Sequence, residues 1–121
     1  MIEIALDHDV VEAGGFVTGR VRWAGDPRVN RIIAAAQWET RGAGNGVWGV
    51  GRSTVFVPRN GAREVAFPVH MMIPHGGPVS FEGSLITIVW QLKVRIDQRG
   101  FDEFAEAPFR VEARKRQIKR M

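Results

Sequence analysis

From Ser84 to Asp97 a large apolar side chain falls at every second position: Ile86, Ile88, Trp90, Leu92, Val94 and Ile96 alternate with Thr87, Val89, Gln91, Lys93, Arg95 and Asp97. A period of two puts one set on each face of an extended chain, so this stretch predicts a central, half-buried β-strand. Shorter strand patterns recur along the chain: Ile2 to Leu6, Phe16 to Trp23 with Val17, Val21 and Trp23 in phase, Arg31 to Thr40, Val47 to Val57, Arg63 to Met72 and Phe104 to Glu112. The run Ile32-Ile33-Ala34-Ala35-Ala36 has helical propensity, but it is too short to stand alone, and Trp38 and Thr40 follow it in alternation. It is read as a strand.

Glycine, proline and asparagine clusters separate these segments: Ala13-Gly14-Gly15, Gly25-Asp26-Pro27, Arg59-Asn60-Gly61, Pro74-His75-Gly76-Gly77-Pro78 and Gln98-Arg99-Gly100. Glycine supplies positive φ at no steric cost and proline fixes φ, so each cluster is a break with a mechanism. About seven short strands at such spacing predict a single all-β antiparallel sandwich. Pro68 lies inside a strand pattern and cannot donate to a ladder, so its strand is expected at a sheet edge or at a bulge.

The length of 121 residues suits one domain with one core. There is no cysteine, which excludes disulfides, thiolate metal sites and a thiol nucleophile. The first residues carry no basic flank and no long apolar stretch, and no apolar run approaches the ~20 residues of a membrane helix. A cytoplasmic location is therefore expected, with no transmembrane segment. Fourteen arginines against three lysines, with 14 glycines, is the usage associated with a GC-rich bacterial genome. The net charge of +4 belongs to the end of the chain, where Arg114, Lys115, Arg116, Lys119 and Arg120 cluster; residues 1–113 hold 12 basic side chains against 13 acidic ones. The expected division is a near-neutral sandwich over 1–113 and a basic tail over 114–121.

Candidate chemistry is sparse. Gly44 to Gly49 matches G-x-G-x-x-G, and Gly46 to Ser53 has P-loop spacing with Arg52 in place of lysine. Both motifs need a helix N-terminus behind the glycines, and the following Val50 to Pro58 has no helical pattern. His8, His70 and His75 show no paired-ligand spacing, so no metal and no cofactor is expected. Ser80 or Ser84 with His75 and Asp97 could be drawn as a triad, but neither serine sits in a nucleophile elbow. Asp102, Glu103 and Glu106 fit a solvated strand end. The chain is not expected to be an enzyme.

Three blocks between Val11 and Val111 carry a family resemblance. They are Val11-Glu12-Ala13-Gly14-Gly15-Phe16-Val17-Thr18-Gly19-Arg20-Val21; Phe67-Pro68-Val69-His70-Met71-Met72-Ile73-Pro74; and Gly77 to Gly83 running into Ile86 to Val94 and Asp97. In this order they resemble the N-terminal-type, immunoglobulin-like sandwich of arrestins, whose relatives include Vps26-like and bacterial sporulation-control proteins. The resemblance implies an arrestin-like fold and an adaptor role. Trp90 stands where a tyrosine is usual, and one sandwich is present where arrestins have two, so receptor binding and phosphate sensing are not carried over.

The functional expectation is a non-enzymatic protein-interaction adaptor or scaffold, docking partners or itself through an edge strand or end loops. Its candidate partner-binding residues are Trp48, set among glycines, with Arg52 and Pro68. The alternative is an anion-binding module contacting nucleic acid or acidic lipid through Arg114, Lys115, Arg116, Lys119 and Arg120.

Overall fold

The structure is a computed structural model that describes residues 1–25, 28–42, 46–59, 61–83 and 85–114. Nine strands follow one another: β1 (Ile2–Leu6), β2 (Val10–Glu12), β3 (Phe16–Ala24), β4 (Val29–Gly42), β5 (Trp48–Phe56), β6 (Glu64–Met72), β7 (Phe81–Glu82), β8 (Ile86–Gln98) and β9 (Glu103–Glu112). They form a three-stranded sheet ordered β1-β3-β6 and a six-stranded sheet ordered β2-β9-β8-β4-β5, with β7 also on β8. No helix occurs among the described residues, and none is long and apolar enough to cross a membrane.

All seven expected strands form, and two were missed. β2 and β7 are three and two residues long, too short for any period to register. β2 also departs from the antiparallel expectation, because it runs parallel to β9 with Val11 opposite Val111. Every other pairing is antiparallel.

The alternation along β8 decides the core. Trp90, Leu92, Val94 and Ile96 are almost fully buried, and β8 lies between β4 and β9 along most of its length. Its β4 neighbours on the same face are Trp38, Ala36, Ala34 and Ile32, matched in register to Trp90, Leu92, Val94 and Ile96. Val17, Val21 and Trp23 of β3, with Phe67, Val69 and Met71 of β6, supply the opposing layer. The indole of Trp90 donates from Nε1 to the Pro78 carbonyl at 2.8 Å, so its one polar atom is satisfied on burial.

The apolar face of β8 outruns its cover. β8 and β4 have 13 and 14 residues, whereas β3 and β6 have nine each, and at ~3.4 Å per residue the larger sheet projects beyond the smaller. Ile86 is consequently 44% exposed and Ile88 only half-buried. Six alternating apolar positions therefore yield four core residues, and period alone carries no information on where the facing sheet stops.

Pro68 sits in β6, which among the described residues pairs with β3 only, so the expected edge placement holds. The sandwich flank is closed there by Phe56 of β5 stacked on Phe67 of β6, with centroids 5.0 Å apart. The turn before β3 needs glycine: Gly14 has φ of 83°, and a Cβ on it would collide with the His75 imidazole.

Truncating a core position and an overhanging one should separate these zones. Leu92→Ala is expected to lower the unfolding free energy by about 2–5 kcal/mol, and Ile86→Ala by about 1 kcal/mol or less. Urea titrations would check both. Equal losses would mean that the larger sheet is covered along its whole length.

Candidate interaction site on the edge strand

β5 is the outermost strand of the larger sheet and pairs with β4 alone among the described residues. Its start is fixed by Thr40: the Thr40 amide donates to the Val47 carbonyl at 2.8 Å, and the Val47 amide donates to Thr40 Oγ1 at 2.8 Å. This clamp sets Trp48 opposite Glu39. Residues 43–45, including part of the glycine motif, lie outside the described residues. Beyond them the chain enters a strand rather than a helix, so the phosphate-binding reading of Gly44 to Ser53 lacks its helix.

Side chains on β5 are sorted by their β4 partners, since directly opposed residues share a face. Ala36, Ala34 and Ile32 face the core, so Arg52, Thr54 and Phe56 opposite them point to the inner side. Trp48 and Val50 pair with Glu39 and Gln37, and Ser53 and Val55 pair with Ala35 and Ile33, all on the outer face. Between Ala36 and Gln37 the register shifts, leaving Gly51 as the extra residue of a β-bulge. A side chain there would press on the Trp90 ring and Pro74 at 3.0 to 3.1 Å, so glycine lets the bulge lie against the core.

The outer side of β5 is apolar and open. Trp48 is 68% exposed, Val50 47%, Val55 54% and Val57, just past the strand, 69%. Trp48 walls a shallow hollow of about 280 Å³ shared with Gln37, Trp38, Glu39, Gln91 and Lys93. Arg41 Nη2 reaches Glu39 Oε1 at 2.7 Å and Lys93 Nζ lies 4.0 Å from Glu106, so the charges around the hollow are internally matched. Gln91 is the one buried polar residue among those described, 5% exposed on the outer face of the central strand. Its Nε2 donates to Glu39 Oε1 at 3.3 Å, while its Oε1 has no partner. Gln91 was missed in the sequence because the alternation assigns it only a polar face; burial of that face by long neighbouring side chains leaves no signal in the period.

The sequence-derived candidates do not form one patch. Trp48 and Arg52 share β5 but point to opposite faces, and Pro68 is exposed on β6 of the other sheet. Arg114 is exposed, and Lys115, Arg116, Lys119 and Arg120 lie outside the described residues. Of the groups considered for catalysis, Ser84 lies outside the described residues, and Ser80, Asp97 and His70 are engaged separately. Ser80 Oγ accepts from the Val111 amide at 2.8 Å, Asp97 accepts from Arg31 Nε at 2.9 Å, and His70 stacks on Phe16 at 4.3 Å. Among the described residues no cluster of three or more His, Asp or Glu side chains is placed to hold a metal ion.

No protein-family model matches the chain, and comparison with curated proteins gives no match. Solved structures do match. The crystal structure of Spo0M, the sporulation control protein from Bacillus subtilis, superposes with a TM-score of 0.69 at 19% identity, over 93% of this chain and 49% of that one. The fold is arrestin-like. The expected sandwich and its likeness to sporulation-control proteins therefore hold at the level of fold, and the chain spans about half the length of Spo0M.

The unpaired Gln91 oxygen gives a stability prediction. A buried acceptor without a partner costs about 1–3 kcal/mol, so Gln91→Leu is expected to leave stability unchanged or to raise it by up to about 1 kcal/mol. Thermal and urea unfolding would check this. A loss above about 2 kcal/mol would mean that the bond to Glu39 supports the sheet.

Proposed function

We propose that this sandwich is a non-enzymatic adaptor or scaffold domain that docks a protein partner along the outer edge of β5, with Trp48 as the anchor. The observation that carries the reading is a nine-residue edge strand, pairing on one side only among the described residues, whose outer face bears a row of exposed apolar side chains headed by a tryptophan. An open edge supplies backbone donors and acceptors for strand addition, and alternate side chains supply selectivity. Tryptophan is among the residues most enriched at the energetic centres of interfaces.

Side chains close this flank, but β5 and β6 each leave one backbone edge unpaired among the described residues, and the two edges are not equivalent. Pro68 removes a donor from the middle of β6, which blunts that edge. β5 contains no proline and keeps its full set of amides. Pro68 thus favours β5 by default, and Arg52 contributes from the inner side of the docking strand. Spo0M, described as a sporulation control protein, lends a regulatory setting to the same fold. A cytoplasmic place accords with the sequence expectation.

Capture from the source organism with wild type, Trp48→Ala and a control Arg20→Ala on the outer face of the other sheet would test this. A partner held by wild type and Arg20→Ala but weakened about 30-fold or more by Trp48→Ala is expected, since interface anchors contribute about 2 kcal/mol or more. Equal capture by all three chains would remove the β5 edge from the interaction.

A further inference from the structure

We propose that β5 pairs antiparallel with β5 of a second copy of this chain, in the register that sets Val50 opposite Val55 and Trp48 opposite Val57 of the other copy. This rests on the reading of β5 as the docking edge and names one partner for it.

The register follows from the positions of the exposed side chains. A two-fold antiparallel pairing matches residues equally spaced about one centre. Val50 and Val55 are equally spaced about the point between Arg52 and Ser53, and so are Trp48 and Val57. In that register each of the four exposed apolar residues of the outer row meets another of the same row. Phe56 is held inward by its stack on Phe67, which leaves Val57 on the outer side.

In a regular strand this match would fail. Residues five apart alternate to opposite faces, so Val50 and Val55 would lie on different sides of the sheet. The extra residue at Gly51 shifts the alternation by one and returns Ser53 and Val55 to the face of Trp48 and Val50. The bulge therefore makes the edge complementary to itself, and any mismatch of faces is confined to Arg52 and Ser53 at the centre.

Charge sets the sign of a further effect. Arg52 is the only ionisable side chain of β5, and the two-fold axis brings it close to its own copy. Like charges across a strand pair are unfavourable, and salt screens them. The pairing should be weak at low ionic strength and tighten as salt is added. Four aromatic or β-branched cross-strand pairs, added to the ladder of backbone hydrogen bonds that strand pairing forms, support only modest affinity, with a dissociation constant on the order of 10–100 μM.

The absence of cysteine makes disulfide trapping clean. Opposed residues of an antiparallel pair have Cβ atoms ~4.5–5.5 Å apart, close enough for a disulfide after a small adjustment. In one strand positions 50 and 55 are ~17 Å apart, so no intramolecular bridge competes. The double variant Val50→Cys, Val55→Cys at about 100 μM, near the expected dissociation constant, should oxidise to a covalent dimer that thiol reductant reverses. Val50→Cys and Val55→Cys alone should each give less than about one tenth as much, because each then faces a valine. Light scattering of the wild type should show a mass that rises with concentration and with salt, Val50→Lys should abolish the rise, and Arg52→Ala should strengthen it.

A double variant that cross-links no better than the singles overturns the register. A wild type monomeric up to about 500 μM, well above the expected constant, overturns the pairing itself. Neither failure touches the adaptor reading, which is tested at about 1 μM, where the self-pair is dissociated, by Trp48-dependent capture of another protein.

Discussion

The burial of one face of β8 is the interaction on which the rest of the structure depends. Trp90, Leu92, Val94 and Ile96 are covered by β3 and β6, while β4 and β9 hold the same strand from either side. Each buried aliphatic or aromatic side chain of this kind contributes about 1.5–3 kcal/mol relative to exposure. Trp90 connects the layers further: its ring meets Phe109 of β9 with centroids 6.0 Å apart, its Nε1 binds the Pro78 carbonyl, and Gly51 of β5 approaches it from above. The same residue thus orders the core, the segment before β7 and the bulge that shapes the edge.

What the sequence made legible follows from where a single strand's pattern carries enough information. The alternation through β8 located the centre of the sheet, and Pro68 located an edge, because each depends on chemistry local to its own strand. The ends of the alternation were not legible, since exposure of Ile86 is set by the length of β3 and β6 and not by β8 itself. β2 and β7 were invisible for want of length. Trp48 stood out among its glycines, but its orientation opposite to Arg52 depends on the bulge at Gly51, a pairing property that one strand read alone cannot disclose. Gln91 escaped notice for a related reason: its cross-strand neighbours, Gln37 of β4 and Pro108 of β9, and the partner of its amide, Glu39, are set by pairing and not by the pattern of β8 itself.

The four edge strands, β1 and β6 of the smaller sheet and β2 and β5 of the larger, illustrate how a sandwich of unequal sheets manages exposed backbone. β6 is blunted by Pro68, and β2 is too short to template a partner, both of which are recurrent protections against edge-to-edge association. β5 carries neither protection, and its outer row is apolar. A long edge without such protection, bearing a row of exposed apolar side chains that the five-residue edge β1 lacks, is the physical basis for assigning interaction to β5. The likeness to Spo0M adds the fold in which this edge is set, and the chemistry of the edge comes from these residues alone.

Residue-resolved hydrogen exchange at a low micromolar concentration tests the central claim most directly. If β8 anchors the sandwich and β5 is its open margin, the amides of Leu92, Val94 and Ile96 will exchange only through global unfolding, and those of β5 will exchange by local opening orders of magnitude faster. Protection of β5 equal to that of β8 in the dilute chain would contradict the account, because it would place both strands inside the sheet.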